Sequence, residues 1–512
     1  MLRFDIGRDD VAGQWRLQDG RWFVGASWIS PVSSPVLRMD SHFRGSRRTV
    51  TIQEIRRDGD FTELTLCADG SVGLAAGPLG IAPLYIAVRN GRLIGSWDPG
   101  DLAPVARPDD LSDVVVTQLL TRRHRYSTST LFSGISRLTA GATAVWNQES
   151  GLRLRYPEPA THVSEPRRLR PGADPVAHFE QLLTHIVRAT CHGLDGGIAV
   201  ELSGGLDSAN VALSVAALPI GPVLSGGLLL AGRTGCAQAS RRRLIIDHLG
   251  MRDICVPASL HLPLAPDGPR SVDRVHYPDT DVYQEAFDAL RTQLRGAGTR
   301  VVFTGYGGDE IMDRAPSERR RPTAPPRLPP WLDTRARDAL VDVDADGSPV
   351  TTVALPTLVV FAARHPAYLR AGLWPVAPFA TLELSRFGRS LPVEWRTGKE
   401  LLRRRLARSG LPATVTRAQC PESFAATMSL ALHRHAPVLL ADMLGHSVLI
   451  DHGFVRRTSV EHLLRRASTL APCRRWCTTC SPSRSASAAC APLRHVEGMK
   501  RASRRAPVLD PQ

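Results

Sequence analysis

Two stretches of this 512-residue chain hold residue types at spacings that can do chemistry. The first is Ser203-Gly204-Gly205-Leu206-Asp207-Ser208, between the short, mostly apolar stretch Ile198 to Leu202 and the Gly- and Pro-free run Ala209 to Leu218. That order predicts a buried strand, a tight turn and a helix. Such a turn aims backbone N–H groups and the positive end of a helix dipole at one point, which suits phosphate. It lacks the Lys-Ser/Thr pair of a Walker A loop, so Asp207 is expected to act through a magnesium ion bridging the phosphates. The second stretch, Val301-Val302-Phe303-Thr304-Gly305-Tyr306-Gly307-Gly308-Asp309-Glu310, is again an apolar strand running into a glycine-rich turn with an acidic end. In an open parallel sheet, ligands bind beyond the carboxyl ends of the strands. Asp207 and Asp309 both follow such ends and are expected to converge on one magnesium-bound phosphate group.

A Gly-Gly pair alone would fit a turn that merely packs; six residues in a strand–helix context, with a second acidic loop, favour a nucleotide. The first turn resembles the pyrophosphate loop of the asparagine synthetase family of ATP pyrophosphatases. The second resembles that family's Ser-Gly-Glu-Gly-Ala-Asp-Glu signature, with Tyr306 in place of the first Glu. A third segment, Leu391-Pro392-Val393-Glu394-Trp395-Arg396-Thr397-Gly398-Lys399-Glu400-Leu401-Leu402-Arg403, looks like the one in which a glycine-flanked lysine reaches the acyl-adenylate. The resemblance implies nucleotide contacts from Leu202, Ser203, Gly204, Gly205, Leu206, Asp207, Ser208, Thr304 and Gly305. It also implies metal ligation by Asp207 and Asp309, catalysis by Lys399 and Tyr306, and ATP with Mg2+ as cofactors. β-Lactam synthetases carry Tyr at the position of Tyr306, in a general-base dyad with a glutamate; Glu383 is a candidate for that partner here.

The elements around these loops are an α/β arrangement. The N-terminal part is β-rich, with alternating runs Thr62–Leu66, Ser71–Ala75 and Leu84–Val88 separated by Asp-Gly, Gly-Pro and Asn-Gly turns. Gly77 to Tyr85 and Thr130 to Leu138 resemble segments of the glutaminase half of asparagine synthetases, and read as turns that build a sandwich and carry no chemistry. Glutamine-hydrolysing relatives need a cysteine directly after the initiator Met; position 2 is Leu2 and the first cysteine is Cys67. The expected organisation is therefore a degenerate glutaminase-like (Ntn-type) sandwich over residues 1–156 and a Pro, Arg and Glu-rich linker over 157–175. An ATP-pyrophosphatase domain with a parallel sheet (adenine nucleotide hydrolase-like) follows over 176–470, with a helix over roughly His178 to Thr190 and a strand over Val223 to Leu230. Gly232 to Gln238 departs from the acidic segment seen at that point in asparagine synthetases. Ser271 to Leu294 resembles the helix preceding the second acidic loop. The Pro- and Arg-rich stretch Ala315 to Pro330 reads as a flap over the site.

Composition bounds the class. Apolar content of 43% and charged content of 22% are ordinary for a globular protein. No run of about 18 apolar residues or signal-peptide core is present, so a cytoplasmic protein without a membrane partner is expected. Net charge is +15 and comes almost wholly from arginine; Lys399 and Lys500 are the only lysines among 64 basic residues. Retaining Lys399 in such a chain is hard to call neutral, because a compact ammonium fits beside a developing oxyanion where a planar guanidinium fits differently. Basic residues without a known nucleic-acid fold or aromatic platform argue against nucleic acid. Cys67, Cys191, Cys236, Cys255 and Cys420 are isolated. Cys473, Cys477, Cys480 and Cys490 crowd a Ser, Arg and Pro-rich segment, 471–512, that reads as a disordered tail or a shifted reading frame.

Together these features imply an enzyme that adenylates a carboxylate with Mg-ATP, after which an amine attacks the mixed anhydride. Without an ammonia source, the simplest donor is an amine of the substrate itself. The chain therefore resembles β-lactam synthetases and the macrolactam synthetases of lasso peptide biosynthesis. Arg364, His365, Gly372-Leu373-Trp374-Pro375 and the Leu391–Arg403 segment look most like the latter. The implied partners are a precursor peptide and a leader peptidase. The alternatives are a β-lactam-forming cyclase, an ammonia-dependent asparagine synthetase, or a non-catalytic peptide-binding scaffold.

Overall fold

Alternation with period two builds the N-terminal half. Strands Phe61–Cys67 and Val72–Ala76 bury every second residue, as one-sided strands must. Asn90 and Gly91 both take positive φ (50° and 69°), the conformation a two-residue hairpin requires, and join Leu84–Arg89 to Arg92–Ser96 in antiparallel register. In all, a seven-stranded and a six-stranded sheet form here, and their strand pairs are antiparallel. Phe4, Ile6, Leu84 and Leu93 of one sheet share a buried core with Ile52, Leu64, Leu74 and Trp146 of the other. Leu2, at 2% exposure, lies inside that core.

The computed structural model describes residues 1–11, 13–30, 37–44, 47–54, 60–123, 125–158, 165–194, 196–221, 223–266, 268–272, 281–313, 328–345 and 349–469. Most of the expected flap and part of the linker lie outside the described residues, as do the tail 471–512 and its four cysteines.

Architecture changes at the helix Pro175–Cys191, which Asp174 caps by accepting hydrogen bonds from the amides of Val176 and Ala177. From there five strands form one parallel sheet in the order Arg252–Pro257, Leu224–Leu229, Ile198–Glu201, Val301–Phe303, Trp374–Val376. Apart from the edge strand Arg252–Pro257, which is largely exposed, the strands are buried because both faces are covered, by Leu206–Ala216 and Gln284–Gly296 among other helices. Ile198–Glu201 and Val301–Phe303 are neighbours at the centre, and the chain leaves them toward opposite edges of the sheet. This is a topological switch point, where a crevice opens beyond the strand ends.

The first helix of the sheet begins at Leu206 and not at Ala209, because the turn residues themselves form its opening turn. Leu84 and Trp97 of the sandwich share one core cluster with Phe361 and Trp374 of the second half, and residues 1–468 form one compact unit. Among the described residues no helix is long and apolar enough to cross a membrane.

Candidate active site

Two loops meet in the crevice. Their approach depends on glycine at two places: a Cβ on Gly305 would lie 2.8 Å from the amide nitrogen of Ser208, and one on Gly308 would lie 2.5 Å from Cγ of Asp207. Within the first loop two serines do the tying. Ser203 Oγ accepts from the amide of Gly205 (3.1 Å), and Ser208 Oγ accepts from the amide of Ser203 (3.2 Å). No side chain caps the helix that follows, and among the described residues the opening amides of Leu206 and Asp207 have no acceptor. An anion at that point would satisfy them.

Asp207 is the half-buried centre of the site. Burial pushes its carboxyl up to about 6 in spite of the Lys399 ammonium beside it, and its Oδ1 is buried without a hydrogen-bond partner. Lys399 Nζ donates to Asp207 Oδ2 at 2.6 Å and lies 2.6 Å from Asp309 Oδ1. Burial alone would lower the pKa of this lysine; the two carboxylates hold it above the ordinary value. The backbone bends to place it. Gly398 and Lys399 are consecutive left-handed residues (φ 61° and 58°) that break the chain between Val393–Arg396 and the helix Glu400–Arg408. A non-glycine residue held there is a strained position of the kind that clusters at functional sites.

A cavity of about 270 Å³ opens beside the loops. Leu202, Leu228, Leu230, Phe287 and Phe424 make an apolar part of its wall, and Ser203, Asp207, Ser208, Asp309 and Glu310 line it as well. Burial raises the Glu310 carboxyl above its usual range, and Asp309 adds to the effect. A second, more open recess of about 350 Å³ lies on the side of Lys399 and Arg396 and shares Asp309 and Glu310 with the first.

Of the residues singled out in the sequence, Leu202, Ser203, Asp207, Ser208, Gly305, Tyr306 and Asp309 line the cavity, and Lys399 reaches it through the two aspartates. Gly204 faces Gln238 and Arg242, Gly205 faces Glu422 on the cavity wall, and Leu206 packs against the core. Thr304 faces away: its amide and hydroxyl both donate to Val376 O, at 2.8 and 3.2 Å, in the neighbouring strand.

Tyr306 has a different partner from the expected glutamate. Its hydroxyl accepts from Arg364 Nη1 at 2.5 Å, and burial pushes its pKa up to about 12 although Arg364 opposes this. Glu383 is exposed in the first turn of the helix Leu382–Ser390 and is not on the cavity wall. The carboxylates acting on Tyr306 are instead Glu201 and Asp281. Arg364 ion-pairs with Asp281 at 3.0 Å and lies 3.9 Å from Glu201, while Glu201 accepts from the hydroxyl of Tyr368.

Sequence reasoning also missed how the first loop is fastened from outside. Gln238 donates to Ser203 O (2.9 Å) and Leu228 O (2.8 Å) and accepts from the amide of Leu230 (3.1 Å). The segment Gly232 to Gln238 thus belongs to a helix, Gly232–Leu249, that clamps the pyrophosphate-type turn to the next strand. Arg241, one turn on, donates to Gly204 O and pairs with Glu422.

The donor set fits a magnesium ion carried with phosphates: one buried carboxylate with an unused oxygen, a second that is accessible, and uncapped amides beside them. Magnesium in such sites takes one or two carboxylates and completes its shell from phosphate and water. Among the described residues no group of three or more His, Cys, Asp and Glu could hold a metal without such help. Residues 178–374 match the family model for asparagine synthase. Comparison with curated proteins finds no match. The matched stretch contains both acidic loops and all but one of the sheet's strand ends, and the lysine loop docks onto it from beyond. Residues 178–374 are thus similar to the asparagine synthase domain, whose family consists of ATP-dependent amide ligases.

Proposed function

We propose that this chain closes a macrolactam ring in a precursor peptide. A side-chain carboxylate of Asp or Glu attacks the α-phosphorus of ATP; pyrophosphate leaves and an acyl-adenylate forms. The peptide's N-terminal amine then attacks the acyl carbon, loses a proton, and expels AMP.

The observation that carries this reading is the meeting of Asp207, Asp309 and Lys399 at the switch-point crevice. Magnesium on Asp207 and Asp309 would neutralise charge on the phosphates. The amides at the start of Leu206–Ala216 hold the departing pyrophosphate, and the apolar walls take the adenosine. Lys399 stabilises the negative charge that builds on the acyl oxygen and on AMP. With a pKa of about 12 and an arginine on its oxygen, Tyr306 stays a phenol. It orients the amine, and Glu201 on the same wall takes the proton. Tyr306 in place of the family's first loop Glu favours an amine of the substrate over ammonia. The open recess beside Lys399 gives a longer substrate room to approach. A leader peptidase would supply the free amine.

A small β-amino acid cyclised to a β-lactam is the second reading, because it shares the tyrosine. The test is to offer the enzyme Mg-ATP with leaderless precursor peptides or with small carboxyalkyl amino acids. The expected result is AMP formation coupled to a peptide lighter by one water. AMP formed only with the small amino acids would transfer the activity to the second reading. AMP and asparagine formed from aspartate and ammonium would remove both.

A further inference from the structure

The short segment from Pro421 to Phe424 touches both ends of the cavity. At one end Phe424 packs on Tyr283, ring centroids 4.2 Å apart, and lies 6.3 Å from Phe287 on the apolar wall. At the other, Glu422 sits against the phosphate-type turn: a Cβ on Gly205 would meet Glu422 Oε2 at 3.2 Å. Arg241 holds this carboxylate at 2.5 Å, and its own side chain is only 5% exposed. The same guanidinium donates through Nε to Gly204 O at 3.2 Å, so it is fixed to the loop itself. A negative group has thus been brought to Gly205, at the start of a helix whose opening amides are uncapped.

We propose that Glu422 is a resident stand-in for the outer phosphates of ATP, and that Arg241 is a phosphate-binding residue which exchanges one for the other. The inference rests on the nucleotide reading of this cavity and adds to it two residues outside its motifs. A carboxylate paired with a nearly buried arginine keeps that cation from standing uncompensated. When the triphosphate enters, its oxygens take over the Nη contact, and Glu422 swings out with the segment that carries it. Binding therefore includes the cost of displacing Glu422.

The experiment measures the affinity of ATP and of adenosine, with magnesium, by calorimetry in the wild type, Glu422→Gln and Arg241→Gln. Glutamine keeps a hydrogen bond to Arg241 but gives up the charge, so Glu422→Gln should bind ATP about tenfold more tightly and adenosine unchanged. Arg241→Gln should bind ATP at least about tenfold more weakly, again with adenosine unchanged. Thermal melting shows whether each variant is folded. Glu422→Gln, the milder change, is the decisive variant. ATP affinity that is unaltered or weaker in that variant overturns the proposal, as does an equal gain for adenosine, which would mean a change of pocket shape and not of charge. A wild type that binds adenosine and ATP equally well has no phosphate site at Arg241 and overturns the proposal alone; one that binds neither removes the nucleotide reading as well.

Discussion

Replacing Lys399 by methionine separates the two halves of the proposed reaction. The ammonium makes two contacts of 2.6 Å, but they are unequal. Asp207 is largely buried, while the Asp309 side chain is 81% exposed and its pair with lysine is worth little. Losing the contact to Asp207 costs about 2 kcal/mol, the usual worth of a buried hydrogen bond to a charged group. That loss falls on the resting protein, where the lysine competes with magnesium for the same two carboxylates. Lys399→Met should therefore bind Mg-ATP as tightly as the wild type or more tightly. In the amine step no such competition exists, and removing one preorganised charge costs about 3 kcal/mol, or on the order of a hundredfold in rate. The assays are ATP titration, exchange of labelled pyrophosphate into ATP, and ring formation by mass spectrometry. Binding and exchange should survive while ring formation collapses, with Lys399→Arg recovering part of the rate. A methionine variant that cyclises normally, or one that loses ATP binding, would refute the assigned role.

Asp207→Asn and Asp309→Asn should each lower substrate-dependent pyrophosphate release at least about a hundredfold while melting close to the wild type. Wild-type rates in either folded variant would remove the metal assignment. His365 supplies a pH dependence: burial holds its pKa down to about 3, below the ordinary 6.5, so its contribution to stability is complete above about pH 6.5 and is lost as pH falls toward 3, by about 1.4 kcal/mol per pH unit. His365→Asn, which keeps a donor for Ile81 O, should flatten that decline in urea midpoints measured against pH; parallel curves for the two proteins would sink the assignment.

What the sequence made legible is what lies within a few residues of itself. The two strand–turn–helix units announce themselves through apolar runs, glycines and one aspartate each, and the structure sets both beyond adjacent strand ends. Lys399 stood out because arginine fills almost every other basic position. The misreadings share one cause, which is that partners come from far along the chain. Thr304 follows an apolar strand just as the loop residues do, but its hydroxyl is claimed by Val376, 72 residues away. Tyr306 meets Arg364 in place of a glutamate, and Glu201 is tied to Tyr368, 167 residues away. Gln238 lies in a segment whose departure from the family's acidity concealed its use as a clamp.

The N-terminal sandwich gains a physical role from the same long-range contacts. Gly77 to Tyr85 reads in the sequence as a turn without chemistry, yet its Ile81 carbonyl accepts from Nδ1 of His365 at 2.7 Å. Asp60 holds that turn in shape by accepting from the amides of Leu79 (3.0 Å) and Ile81 (2.6 Å). Gly80, at φ 67°, lets Leu358 approach to where a Cβ would stand 2.8 Å away, and Asp98 pairs with Arg370. Leu358, His365 and Arg370 all belong to one helix, Leu355–Arg370, which also carries Arg364 to Tyr306 and Tyr368 to Glu201. Two ends and the middle of that helix are thus gripped by the sandwich, while its remaining face sets the wall of the cavity. A groove wall that must hold a buried arginine between carboxylates and a phenol cannot rely on its own helix for rigidity, because those charges are costly unless fixed in place. The sandwich supplies the fixing, which is a sufficient physical reason for the second half to keep it.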